Sequence, residues 1–63
     1  MNIAENIRKH REAAGLSQKE LAVKVAVEQG SISKFENGIK TPSIAMGKAI
    51  ANALGCSLDE LVE

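Results

Sequence analysis

Ser17-Gln18-Lys19-Glu20-Leu21-Ala22-Val23-Lys24-Val25-Ala26-Val27-Glu28-Gln29-Gly30-Ser31-Ile32-Ser33-Lys34-Phe35-Glu36-Asn37-Gly38 is the stretch that decides the fold. Ser17 stands three positions before Glu20. At that spacing a serine oxygen accepts an orphan N–H of a new helix, while the glutamate reaches back to the serine's own N–H. Leu21, Ala22 and Val25 follow at helical spacing, so a helix is predicted over 18–25. A turn of three or four residues leads to a second helix over 29–37, anchored by Ile32 and Phe35. Small Ala22 lets the two helices approach closely, and Val27 and Ile32 plug the angle between them. The first turn of the second helix is thereby left free to project.

The same punctuation extends in both directions. Asn2-Ile3-Ala4-Glu5 and Ser57-Leu58-Asp59-Glu60 repeat the capping spacing, and Thr41-Pro42-Ser43 places a proline where a helix begins. Gly15, Gly38 and Gly55 sit where helices should end, because glycine tolerates the left-handed conformation that closes a helix. Three more helices follow, over 3–14, 43–54 and 58–62, giving five in all. Ile3, Ile7 and Ala14 line one face of the first. Ile44, Ala51 and Leu54 line the fourth, with Ile50 close by, and Leu58, Leu61 and Val62 close the chain. No segment alternates long enough for a strand. The fold class is all-α, one compact domain over 1–63.

Composition narrows the function. With 63 residues the chain is marginal alone, so local helical contacts or a partner subunit are the expected remedies. At that length there is no room for a separate ligand domain. The single Cys56 excludes an internal disulfide and any multi-cysteine metal site, and points to a reduced, cytoplasmic compartment. No apolar run approaches the roughly 20 residues of a membrane span. Met1-Asn2-Ile3-Ala4-Glu5 lacks the layout of a signal peptide. Eight basic and eight acidic residues cancel, yet residues 1–50 hold all eight bases against five acids, while Asp59, Glu60 and Glu63 load the end. A basic body with an acidic tail suits a protein that turns one end from a polyanion; an ordinary mixed surface reads equally well. No nucleophile–base set, phosphate loop or pair of acids in a cleft is visible, so neither an enzyme nor a cofactor is expected. His10 has no second ligand nearby, and Cys56 reads as a small, partly buried apolar residue.

Gly15-Leu16-Ser17-Gln18, Glu20-Leu21-Ala22, Ser31-Ile32-Ser33, Glu36-Asn37-Gly38, Pro42-Ser43 and Ala53-Leu54-Gly55-Cys56-Ser57-Leu58-Asp59-Glu60-Leu61 together resemble the phage repressor and Cro type of helix-turn-helix domain. The resemblance spans nearly the whole chain. It implies a lambda-repressor-like domain that binds double-stranded DNA, with the second helix of the motif in the major groove. The implied function is transcriptional regulation, repressor-like, as a homodimer on an inverted repeat. By the same resemblance Gln29, Ser33 and Lys34 face base edges, with Lys34 open to either a base or a phosphate. Gln18, Ser31, Asn37 and Lys40 contact the backbone. Arg11 and Glu36 match a buried pair that fixes the first helix against the third. Leu58, Leu61 and Val62 supply a dimer patch wherever the core leaves them exposed.

The chain departs from the family pattern at several positions. Ala26 occupies the usual glycine of the turn, and Glu28 the usual serine or threonine cap. Gly30 replaces a side chain that often reads a base. Gly47 and Lys48 replace large apolar residues, and Phe35 is the neighbour expected to fill the space above Gly47. The rival reading is a protein-interaction module binding a toxin or co-regulator. The polar and basic face of Gln29, Ser33 and Lys34 favours DNA over a protein groove.

Overall fold

The computed structural model describes residues 2–63; Met1, part of the opening pentapeptide, lies outside the described residues. Among these the chain forms five helices in order: α1 (Ile3–Ala13), α2 (Gln18–Lys24), α3 (Gln29–Glu36), α4 (Ile44–Leu54) and α5 (Leu58–Val62). Each lies within one residue of its predicted bounds at either end. They form a ball of 24 × 23 × 19 Å.

Every helix contributes one fully buried aliphatic side chain to the centre: Ile7, Leu21, Ile32, Ile50 and Leu61. Ala22, Val25, Phe35 and Ala51 complete the core. The α2 and α3 helices pack closely on one another, and α1 runs behind α3, α4 and α5. Asn6 ties the two ends of the chain together. Its Nδ2 donates to the carbonyl of Leu61 at 2.9 Å and to that of Glu63 at 2.7 Å, satisfying orphan carbonyls at the end of α5. Nothing in the sequence pattern singles out this asparagine.

The first four helices all end the same way. In each, two consecutive residues just past the helix donate back to carbonyls in its last turn: Gly15 to Glu12 and Leu16 to Arg11, Ala26 to Val23 and Val27 to Ala22, Gly38 to Phe35 and Ile39 to Lys34, Gly55 to Asn52 and Cys56 to Ala51. This paired arrangement requires a left-handed residue at its pivot. Three pivots are glycine; the fourth is Ala26, with φ of 59°. The turn inside the helix-turn-helix is therefore the strained one of the four.

Several details differ from expectation. Ala14 is an exposed cap residue rather than part of α1, because the left-handed Gly15 ends the helix one residue earlier. Ile44 is exposed, whereas Pro42, just before the Ser43 cap of α4, is buried. Leu58, not Phe35, fills the space above Gly47: a Cβ there would lie 3.0 Å from Leu58 Cδ1. Asn2 caps α1 through the Glu5 N–H at 3.1 Å, but only α2 and α5 have the full reciprocal capping box.

Candidate nucleic-acid interface

The α3 helix is held from one side. Ile32 and Phe35 are buried in the core, and Glu36 is buried beside them. Gln29 opens the helix and is exposed; Ser33 lies one turn further on and is half-buried; Lys34 next to it is exposed. Residues four apart share a helix face, so Gln29 and Ser33 stand one above the other with Lys34 at their flank. Ser31 is half-buried on the same helix. Asn37 caps the helix, and Lys40 lies in the following loop; both are exposed. Asn37 Nδ2 donates to Ser33 Oγ at 3.2 Å, which links a candidate base reader to a candidate backbone contact. The serine hydroxyl proton stays free to donate.

The start of α3 is open. Glu28 caps it by backbone geometry alone, with no side-chain hydrogen bond, so its carboxylate stays exposed beside Gln29. The start of α2 is different. Ser17 Oγ accepts the Glu20 N–H at 3.0 Å, and Glu20 Oε1 accepts the Ser17 N–H at 2.8 Å. That backbone bond holds the Glu20 carboxyl below the usual carboxylate range.

Arg11 and Glu36 are brought together behind this face. Their side chains are 11% and 2% exposed. The hydrogen bond with Glu36 raises the Arg11 pKa above its ordinary value. Arg11 Nη1 also donates to the Leu16 carbonyl at 2.8 Å, tying α1 to the loop before α2. Gln18, first residue of α2, joins the cluster: its Nε2 donates to Glu36 Oε1 at 3.1 Å. Spacing alone gives no signal for that bond.

Of the three C-terminal residues expected to form a dimer patch, Leu61 has no surface to offer. It is fully buried in this chain's own core, because α5 must close the bottom of a small domain. Leu58 and Val62 are half-buried. Among the described residues the exposed large apolar side chains are Val23, Ile39 and Ile44. Burial raises the Cys56 thiol pKa further above its ordinary value, as expected of a packing residue. Among the described residues no three His, Cys, Asp or Glu side chains gather where a metal would fit, and no helix is long and apolar enough to cross a membrane. A shallow cleft of about 180 Å³ lies between the start of α1 and the end of α3, smaller than pockets that enclose drug-sized ligands.

Comparison with known proteins agrees with this geometry. Residues 7–61 match the model of the helix-turn-helix family. An uncharacterized HTH-type transcriptional regulator of Methanothermobacter thermautotrophicus is 45% identical over 49 residues, covering 78% of this chain and 71% of the relative. Among solved structures, SinR, the master regulator for biofilm formation, in complex with DNA, superposes with a TM-score of 0.91 at 31% identity, covering 97% of this chain and 98% of that one. The DNA-binding domain of the P22 c2 repressor superposes with a TM-score of 0.94 at 31% identity, covering 98% and 82%. Five helices, the two-helix motif at α2 and α3 and these likenesses lead to one assignment: the chain belongs to the phage repressor and Cro type of helix-turn-helix family, the DNA-binding domains of transcriptional regulators.

Proposed function

We propose that this protein binds double-stranded DNA sequence-specifically, with α3 in the major groove, and acts in the cytoplasm as a repressor-like transcriptional regulator. The observation that carries this reading is that α3 is anchored by buried side chains yet leaves polar and basic ones exposed. Ile32, Phe35 and Glu36 fasten the helix to the body, while Gln29 at its first turn and Lys34 on its flank stand exposed. A helix fits the width of the B-DNA major groove, where Gln can pair with adenine N6 and N7 and Lys can approach guanine O6 and N7. Gln29, Ser33 and Lys34 read bases. Gln18, Ser31, Asn37 and Lys40 hold the sugar-phosphate backbone, which fixes register without reading sequence.

One α3 reads only a few base pairs, and a chain of zero formal net charge gains little from phosphate attraction. The protein therefore binds as two copies on an inverted repeat, with recognition helices about 34 Å apart, one DNA turn. The buried Leu61 leaves Leu58 and Val62 as the share of α5 open to pairing. Selection of bound fragments from random duplexes at fixed salt tests the reading. It should return a palindrome with half-sites about 10 base pairs apart, and gel shifts should show isolated half-sites binding far more weakly. Equal affinity for half and full sites would rule out the paired mode. No enrichment of any sequence would favour the protein-interaction module.

A further inference from the structure

The bond between Gln18 and Glu36 gives the Arg11–Glu36 pair a task beyond joining α1 to α3. The Glu36 carboxylate is almost wholly buried and receives three donors: Arg11 Nε at 2.6 Å on Oε2, and Arg11 Nη2 and Gln18 Nε2, each at 3.1 Å, on Oε1. A carboxylate only accepts, so the amide that faces it must present nitrogen. That bond sets which end of the Gln18 amide faces Glu36. One N–H of Nε2 is committed to Glu36, and the other is the donor left for an outside acceptor. Gln29 differs: it is exposed, and no hydrogen bond of its side chain is found among the described residues.

We propose that Glu36, locked by Arg11, is a positioning residue that holds the Gln18 amide ready to donate to a DNA phosphate oxygen. This rests on the proposed backbone contact of Gln18. Immobilising a rotamer-rich side chain on binding weakens affinity by roughly twofold to tenfold, and a side chain already fixed escapes that loss. Because Glu36 belongs to α3 and Gln18 to α2, the bond also sets the backbone clamp in register with the base-reading helix. Contacts made through Gln18 and Gln29 are therefore placed by one rigid unit.

The test is a double-mutant cycle on DNA affinity. Arg11→Met with Glu36→Leu removes both charges together, so the net charge facing DNA and the slope of log affinity against log salt stay the same. In the native background Gln18→Ala should weaken binding to specific and random duplexes alike. In the background that carries both apolar replacements, the same substitution should cost at least roughly threefold less, because Gln18 is no longer held. Equal penalties in both backgrounds would overturn the positioning role and leave the backbone contact standing. No penalty in the native background would overturn both. A second measurement needs no substitution. In the free native protein, NMR relaxation of the side-chain amides should show Gln18 Nε2 rigid and Gln29 Nε2 mobile on the picosecond–nanosecond scale. Equal mobility would overturn the inference even if the double variant fails to fold.

Discussion

Arg11 and Glu36 stand 25 residues apart in the chain and meet through two parallel hydrogen bonds, Nε to Oε2 and Nη2 to Oε1. Two-point pairing of this kind is specific to a guanidinium and a carboxylate. Removing one partner strands a buried charge. Glu36→Ala should therefore lower stability by roughly 3 kcal/mol, while replacement of both residues by apolar side chains of similar size should be close to neutral. A chain of this size has a total stability of about 3–9 kcal/mol, so the single variant should lose a third or more of it and melt roughly 12–24 °C lower. Thermal and urea melts of the two variants decide the point; a Glu36→Ala change within error would contradict it.

Ala26 offers the opposite experiment. At φ of 59° its Cβ is strained, and its three counterparts at helix ends are glycines with φ of 72–73°. Left-handed backbone costs a non-glycine residue about 1–2 kcal/mol, and a freer unfolded chain takes back part of what glycine gains. Ala26→Gly should raise stability by about 0.5–1 kcal/mol, or a few degrees in Tm. A lowered Tm would show that the turn relaxes around alanine.

Two exposed carboxylates set part of the acid response. Glu20 and Glu60 accept the N–H groups of Ser17 and Ser57 at 2.8 and 2.9 Å, and these backbone bonds hold both below the ordinary carboxyl value of about 4.5. The folded groups release their protons more readily than the unfolded ones. Their stabilising share is thus complete above the ordinary value and is lost as pH falls through the lowered folded value. Replacing both by glutamine keeps the acceptor and removes the titration. The double variant should lose stability less steeply below about pH 4.5 than the native chain. Parallel acid limbs in urea titrations would contradict this.

Much of the architecture is legible in the sequence because helix ends are local. Ser17 and Glu20, or Gly38 and its preceding turn, interact within a few residues, so spacing reveals them. The apolar period also places Ile7, Leu21, Ile32, Ile50 and Leu61 inside. Expectation and structure part where packing across the chain decides. Ile44 has the right period, yet it is exposed while Pro42, two residues earlier, is buried. Phe35 has the right bulk, yet Leu58 reaches Gly47 first. Leu61 reads from sequence as core or dimer surface, and only the position of α5 under α1 makes it core. The hydrogen bonds of Asn6 to the last helix and of Gln18 to Glu36 span 55 and 18 residues, and no local pattern encodes them. The candidate DNA-contacting residues come from family resemblance; the structure adds their exposure and their tethers.

Base reading by α3 through Gln29 stands or falls on the affinity of Gln29→Ala for the selected site, its single-base variants and a random duplex at fixed salt. Gln29 is exposed at the first turn of α3 and packs on nothing the core needs, so the variant should fold normally. A loss of about 1–3 kcal/mol on the preferred site is expected, with little change on random DNA and relaxed preference at one base pair per half-site. Equal weakening on every duplex, or no change on any, would contradict base reading by this residue.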